Sequence, residues 1–178
     1  MTKEFQESLS LFKDKISDCI KSNKSISITT HNDCDGLTSG SIITKALIRE
    51  GAKCTIRTSK EFSKNVIQSL KTDSRDFHII TDLGGGFGKD LDQTFGDDWI
   101  ILDHHQISDE EKENQNIINS WKYGIDGGLE ICAGGMAYYA ATALNEKNSD
   151  LSEIAVVSAL GDRQDKGENK SFTGKNFE

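Results

Sequence analysis

Four short stretches concentrate the residues able to do chemistry in this chain. HNDCDG (31–36) puts His31, Asp33 and Asp35 on alternate residues of a polar turn, and TDLGGG (81–86) sets Asp82 at the end of an apolar run. DHH (103–105) places Asp103, His104 and His105 directly after WIIL, and GDRQD (161–165) brings Asp162 out of IAVVSAL. Four or five carboxylates in one crevice would repel one another by roughly 4 kcal/mol per pair at about 4 Å and an effective dielectric near 20. A cation therefore belongs among them. Aspartate and imidazole donors without a cysteine cluster suit Mn²⁺ or Mg²⁺ rather than structural zinc. Two such ions sharing a bridging carboxylate lower the pKa of a bound water and neutralise phosphoryl oxygens, which is the chemistry of phosphoester hydrolysis.

Each stretch also has a plainer reading. HNDCDG is a good Asx-rich turn capping a helix, with Gly36 allowing a sharp turn into it. TDLGGG is equally a loop leading to a capped helix, or a bridging carboxylate followed by glycines that leave room for substrate. Asp162 fits a helix stopped at Gly161. DHH resists such a reading more, because a buried strand runs straight into three titratable groups. Gly134 and Gly135, in GGLEICAGGMAYYAA (127–141), either offer backbone N–H groups to a phosphate or let two helices approach closely. His78 lies inside an apolar strand and reads as a core histidine. Cys34, between two presumed ligands, should point away from them, and Arg163 and Gln164 fit the surface as readily as a site.

The elements that must position these residues follow from periodicity. Phe5, Leu9, Phe12, Ile16 and Ile20 recur at three and four, predicting an amphipathic helix over 3–21. SISITT (25–30), KCTIRT (53–58), FHIITDL (77–83) and WIILD (99–103) read as strands, with IIN (117–119) a candidate fifth. Helices are expected at 37–50, 61–70, 129–145 and 151–160, with 108–116 a loop or helix start and a Gly-rich loop leading to Trp99. Alternating strands and helices predict an α/β fold with a mainly parallel sheet flanked by helices on both faces. The acids and histidines then fall at the carboxyl ends of the strands, where open α/β sheets form their binding crevice. The charged tail from Gly161 shows no hydrophobic period.

The chain has 178 residues, 35% of them hydrophobic, and 16 glycines, enough for one folded domain and not the profile of disorder. Its 21 basic and 29 acidic residues give a net charge of −8, the wrong sign for holding nucleic acid by overall charge. Four scattered cysteines form no CxxC pair, so free thiols are expected. No apolar run approaches the roughly 18 residues of a membrane span, and MTKEFQESLSLFKDK is too charged for a signal peptide. A soluble, cytoplasmic protein with no membrane partner is expected.

Together HxDxDG, a strand-end Asp, DHH and a later GD resemble the four motifs of the DHH phosphoesterase superfamily, in the same order. Within it, HNDCDGLTSG, TDLGGG, ILDHHQ, DGGLEICAGGMAYY and ALGDRQDKGE are most similar to archaeal RecJ-like proteins, including the GINS-associated nucleases. The resemblance implies a Mn²⁺-dependent phosphodiesterase related to single-strand-specific exonucleases of DNA or RNA, with roles in replication or repair. It implies that His31 and Asp33 hold one metal, that Asp35, His104 and Asp162 hold the other, and that Asp82 bridges them. Asp103 would orient the histidine pair and His105 would contact the scissile phosphate. Single-stranded nucleic acid is the implied partner, with a GINS/MCM replication complex a further one.

Two alternatives stay open: a phosphodiesterase of short oligonucleotides or cyclic dinucleotides, and a non-catalytic GINS- or MCM-binding replisome subunit. The complete ligand set argues against the second. Longer members of the superfamily carry a C-terminal substrate-binding domain, which the sequence through Glu178 does not contain. The expectation is one DHH catalytic domain over 1–178, with its motif-bearing core at 25–165 and weak substrate affinity.

Overall fold

Strand segments such as HIIT and WIIL are apolar at consecutive positions, a pattern that can be stable only when both faces of a sheet are covered. The computed structural model describes residues 1–178 and shows that arrangement. Five strands, β1 (Ser25–His31), β2 (Lys53–Ser59), β3 (Phe77–Thr81), β4 (Trp99–Asp103) and β5 (Ile117–Asn119), form one all-parallel sheet in the order β2-β1-β3-β4-β5. Side-chain alternation divides the strand residues between two cores. Ile26, Ile28, Phe77, Ile79, Ile100, Leu102 and Ile118 face the larger one, whereas Ile80, Trp99, Ile101 and Ile117 face the smaller.

The larger core is closed by α1 (Lys3–Lys21), α2 (Cys34–Arg49) and α6 (Ala133–Leu144). Helix α1 buries Phe5, Leu9, Phe12, Ile16 and Cys19, and the Thr2 hydroxyl caps it by accepting from Phe5 N–H at 3.3 Å. Helix α6 turns Ala133, Gly134, Ala137, Ala140 and Ala141 inward. Its small residues let it approach α2 and α7 (Ser152–Gly161) closely. The smaller core is closed by α3 (Lys64–Thr72) and α4 (Gly88–Phe95), through Ile67 and Leu91.

The chain leaves β1 toward β2 on one side and returns to β3 on the other. Loops leaving β1 and β3 therefore diverge, and they open a crevice at the carboxyl end of the sheet. His31 and the HNDCDG turn lie on one side of it, and Asp82 on the other.

Several boundaries differ from those expected. Helix α4 lies where only a loop to Trp99 was expected; GKDLDQTF has one fully buried apolar residue, Leu91, and the preceding glycines mask the helical signal. Helix α2 begins at Cys34 rather than Leu37, because the Asp33 carboxylate caps it by accepting from Gly36 N–H at 2.9 Å. Helix α3 starts at Lys64 rather than Glu61 and extends to Thr72. Helix α6 starts at Ala133 rather than Leu129, since 126–130 form a tight turn around the Asp126 carbonyl. The strand expected over 77–83 stops at Thr81, where Asp82 turns out of the sheet with φ +62°.

A one-turn helix, α5 (Asp109–Lys112), occupies the 108–116 segment. The stretch Glu146–Leu151 is a 3₁₀ turn leading into α7. The tail, which shows no hydrophobic period in the sequence, folds back so that Asn176 N–H reaches the Glu130 carbonyl at 2.8 Å. No helix is long and apolar enough to cross a membrane.

Candidate metal centre

HNDCDG folds as the end of β1, a short turn and the first turn of α2. Gly36 is required there, because a Cβ at that position would collide with the His31 backbone. The turn carries the three ligand-type side chains to the crevice. Asp33 caps the helix with Oδ1 and presents Oδ2 to His31 Nδ1 at 2.7 Å, so the capping and ligand readings of this residue coincide. The other nitrogen of His31, Nε2, lies 3.2 Å from the Lys60 carbonyl. A carbonyl only accepts, so Nε2 is the donor in that contact, and Nδ1 is the ring nitrogen that faces the acids.

Asp35 sits deeper, 3% exposed, against the start of α6. Ala133 N–H donates to its Oδ2 at 2.8 Å, Gly134 N–H donates to Oδ1 at 2.9 Å, and the Ser158 hydroxyl also donates to Oδ1. Burial pushes the Asp35 carboxyl above its usual range, against the pull of His104 and these donors. The same contacts decide what Gly134 and Gly135 do. The Gly134 N–H is given to Asp35 and that of Gly135 to Cys132 Sγ, so neither is free for a phosphate. A Cβ on Gly134 would run into Ser158, which makes the close approach of α6 and α7 the use of that glycine.

Asp82 follows β3 in the left-handed region and is 2% exposed. It turns one oxygen to each side of the crevice: Oδ2 lies 3.6 Å from His31 Nδ1, and Oδ1 lies 3.2 Å from His104 Nε2. Burial pushes its carboxyl up to about 6. Of the glycines after it, Gly85 is packed against Asp103 and Ile107, and only Gly86 has open space around it. The room at Gly85 thus accommodates the Asp103 side chain.

Asp103 ends β4, and its Oδ1 accepts from the His105 ring Nδ1 at 2.8 Å and from His104 N–H at 2.8 Å. Burial acts against its charge, yet the His105 and His104 contacts hold the carboxyl below its usual range. It orients the ring of His105 but not that of His104, contrary to the role expected for it toward both. The His104 ring is held instead by the Gly127 carbonyl, 2.6 Å from Nδ1. His104 Nε2 lies 3.3 Å from Asp35 Oδ2 and 3.2 Å from Asp82 Oδ1 but is aligned for a hydrogen bond with neither. Burial disfavours charge on this imidazole, but Asp82 and Asp35 outweigh it and push it up to about 10, a measure of how much negative charge surrounds it. The side chain of His105 is 60% exposed and reaches into the crevice.

Asp162 closes the site from the end of α7, with Oδ2 3.9 Å from His104 Nδ1. The six residues expected as ligands thus form two groups, His31–Asp33–Asp82 and Asp35–His104–Asp162, each with its donor atoms mutually within 4.8 Å. The donor set is oxygen and imidazole nitrogen, which suits a hard or borderline divalent ion. Of the five buried side-chain polar atoms without a hydrogen-bond partner, two lie in these groups: Asp82 Oδ2, at the first, and His104 Nε2, at the second. Buried polar atoms are rarely left in this state, and both are typical ligand atoms. The residues present therefore fit a pair of divalent ions.

Residues 25–161 match the DHH family, N-terminal domain. The chain belongs to the DHH family. This DHH domain is 33% identical over 168 residues to the uncharacterized protein MJ0831 of Methanocaldococcus jannaschii, covering 91% of the present chain and 38% of that protein. Its fold is similar to the DHH domain of a protein assigned to a family of ribosomal proteins, with a TM-score of 0.75, 20% identity, and coverage of 94% of this chain and 46% of that one. It is similar also to RecJ in complex with Mn²⁺ from Thermus thermophilus, with a TM-score of 0.71, 19% identity, and coverage of 90% and 24%. The chain spans less than half the length of each. In fold it is a RecJ-like DHH domain.

Sequence reasoning missed the residues that hold the DHH domain's candidate ligands in place. Ser158 is fully buried on Asp35, and its signal was a lone hydroxyl within the apolar IAVVSAL. Gln164, expected to fit the surface as readily as a site, is fully buried beside Asp162. Trp121 and Asn119 donate to the His104 and His105 carbonyls at 2.8 and 3.0 Å. No spacing in the sequence marks these two, or the Gly127 carbonyl.

Proposed function

We propose that this domain is a phosphodiesterase using two divalent ions, Mn²⁺ or Mg²⁺, and that it degrades single-stranded DNA or RNA from an end. The observation that supports this most is Asp82, whose two oxygens face the two donor groups separately. In this reading His31 and Asp33 hold one ion, Asp35, His104 and Asp162 hold the other, and Asp82 belongs to both. The likeness in fold to RecJ in complex with Mn²⁺ supports the choice of metal, and that to the exonuclease RecJ bound to manganese supports the nuclease reading. Such a pair of ions, when bound, makes water acidic enough to attack at neutral pH and offsets charge on the phosphoryl oxygens.

The chain's own residues then do the rest. His31 and His104 each turn one ring nitrogen to a backbone carbonyl, so the opposite nitrogen faces the acids, where a bound ion would take the place of a proton. Asp103 holds the His105 ring by Nδ1, leaving Nε2 directed away from that carboxylate as a donor to a phosphate oxygen. Asp103 also favours the charged imidazole, so His105 stabilises negative charge that develops on the phosphate. Asp33, the most exposed of the acids in the two groups, lies where a substrate strand can approach from solvent.

The test is hydrolysis by the Mn²⁺-loaded domain of 5′-phosphorylated single-stranded DNA and RNA, duplexes, dinucleotides and cyclic dinucleotides. Mononucleotide release from single strands is expected, with kcat lowered about 10²-fold in His105→Ala. Cleavage of dinucleotides alone would replace the exonuclease reading with that of a short-substrate phosphodiesterase. Capture of GINS with neither hydrolysis nor Mn²⁺ uptake would make the domain a docking subunit.

A further inference from the structure

We propose that Gln164 is a positioning residue that sets the second ion site, by tying the Asp162 carboxylate to the carbonyl that holds the ring of His104. The proposal rests on the two-ion reading above. Gln164 is fully buried, and its side-chain amide lies where three parts of the chain meet. The Nε2 group reaches Asp162 Oδ2 at 2.6 Å, the Gly127 carbonyl at 2.8 Å and the Ile131 carbonyl at 3.2 Å. Two hydrogens are thereby shared among three acceptors, with the two shortest contacts going to Asp162 and Gly127.

Gly127 O is also the acceptor for His104 Nδ1. One amide group therefore touches one expected ligand directly and a second through a single carbonyl, and both ligands belong to the Asp35–His104–Asp162 group. None of its contacts reaches His31, Asp33 or Asp82.

The amide is itself held in one orientation. Asn176 Nδ2 donates to Gln164 Oε1, while Asn176 Oδ1 accepts from Cys132 N–H at 3.3 Å and Asn176 N–H bonds to the Glu130 carbonyl. With its oxygen occupied by a donor, the Gln164 amide cannot flip without losing bonds at both ends. The folded-back tail thus sets the direction in which Gln164 donates. Asp162 stands at the end of a helix, with its side chain about one-third exposed, and would otherwise be free to rotate.

The experiment is calorimetric Mn²⁺ titration of the whole chain as the parent, Gln164→Met and Asn176→Ala. Methionine keeps the volume and removes both donors. The parent is expected to show two binding events, one of them weakened roughly 10–100-fold in Gln164→Met and the other unchanged. Asn176→Ala, on the tail, should weaken the same event by less, and it serves if Gln164→Met does not fold. Equal affinity in parent and variants would overturn the proposal. So would parallel weakening of both events with a lowered melting temperature, since a purely structural role predicts that pattern.

A second readout needs no ion. The His104 Nδ1–H proton, followed by nitrogen-edited NMR in the metal-free proteins, should exchange with solvent faster in both variants. If the parent takes up no Mn²⁺ at all, the two-ion reading falls, and this exchange rate alone decides the role of Gln164: unchanged exchange overturns it, faster exchange supports it.

Discussion

His104 donates from Nδ1 to the Gly127 carbonyl across 2.6 Å, and this one bond decides which ring nitrogen faces Asp82 and Asp35. The contact runs both ways along the chain, because a Cβ on Gly127 would collide with the His104 carbonyl. Gly127→Ala must push the two segments apart. It should lower Mn²⁺ affinity roughly 10–100-fold and stability by about 1–3 kcal/mol. Calorimetric titration and urea unfolding measure the two effects, and parent-like metal affinity would rule out this role for Gly127.

Asp82 combines a backbone demand with a charge demand. Its φ of +62° is tolerated by Asn far better than by Ala, and its buried Oδ2 has no partner. Asp82→Asn should therefore abolish activity, by at least about 10²–10³-fold, while the metal-free variant melts no lower than the parent, because burial makes the charged form of this carboxyl a net cost despite His104 beside it. Asp82→Ala should be less stable than Asp82→Asn by about 1 kcal/mol. Mn²⁺ should raise the parent's melting temperature and leave that of Asp82→Asn unmoved. Differential scanning calorimetry with and without Mn²⁺ checks all three, and an equal Mn²⁺ shift in both proteins would remove Asp82 from the metal centre.

His78 provides a pH signature remote from the crevice. It is 1% exposed, its Nδ1 lies 2.9 Å from the Ser27 hydroxyl, and its ring packs on Phe95. Burial pushes its pKa down to about 4 from 6.5. The folded state thus binds a proton less readily than the unfolded chain does. The stabilisation is complete above pH 6.5 and is lost as pH falls toward 4, by an amount on the order of 3 kcal/mol. In His78→Phe that part of the pH dependence should vanish. Urea unfolding of the two proteins at about pH 7 and about pH 4.5 gives the comparison; identical pH slopes would show that His78 does not titrate as stated.

The strands were legible because their signal is local and strong. FHIIT and WIILD carry apolar residues on both faces, and only a covered parallel sheet accommodates that. Helix α1 was legible from the regular return of Phe5, Leu9, Phe12 and Ile16. Helix α4 was not, because GKDLDQTF has too few apolar positions for a period to show, and its existence depends on Leu91 meeting Ile80 and Ile101 from other strands.

At the site the division is similar. His31, Asp33, Asp35, Asp82, Asp103, His104, His105 and Asp162 were chosen from residue type and from their place after apolar segments, since a strand or helix end presents its next side chain to the crevice. Which nitrogen of His104 is free, which ring Asp103 orients, where the Gly134 N–H points and why Gln164 is buried were decided largely by groups 23 to 99 residues apart in the chain. Ligand identity is a property of side-chain chemistry that a linear sequence displays. Ligand orientation depends on backbone carbonyls and amides, which nearly every residue possesses alike, and only the packing of α6, α7 and the tail against the sheet assigns them their partners.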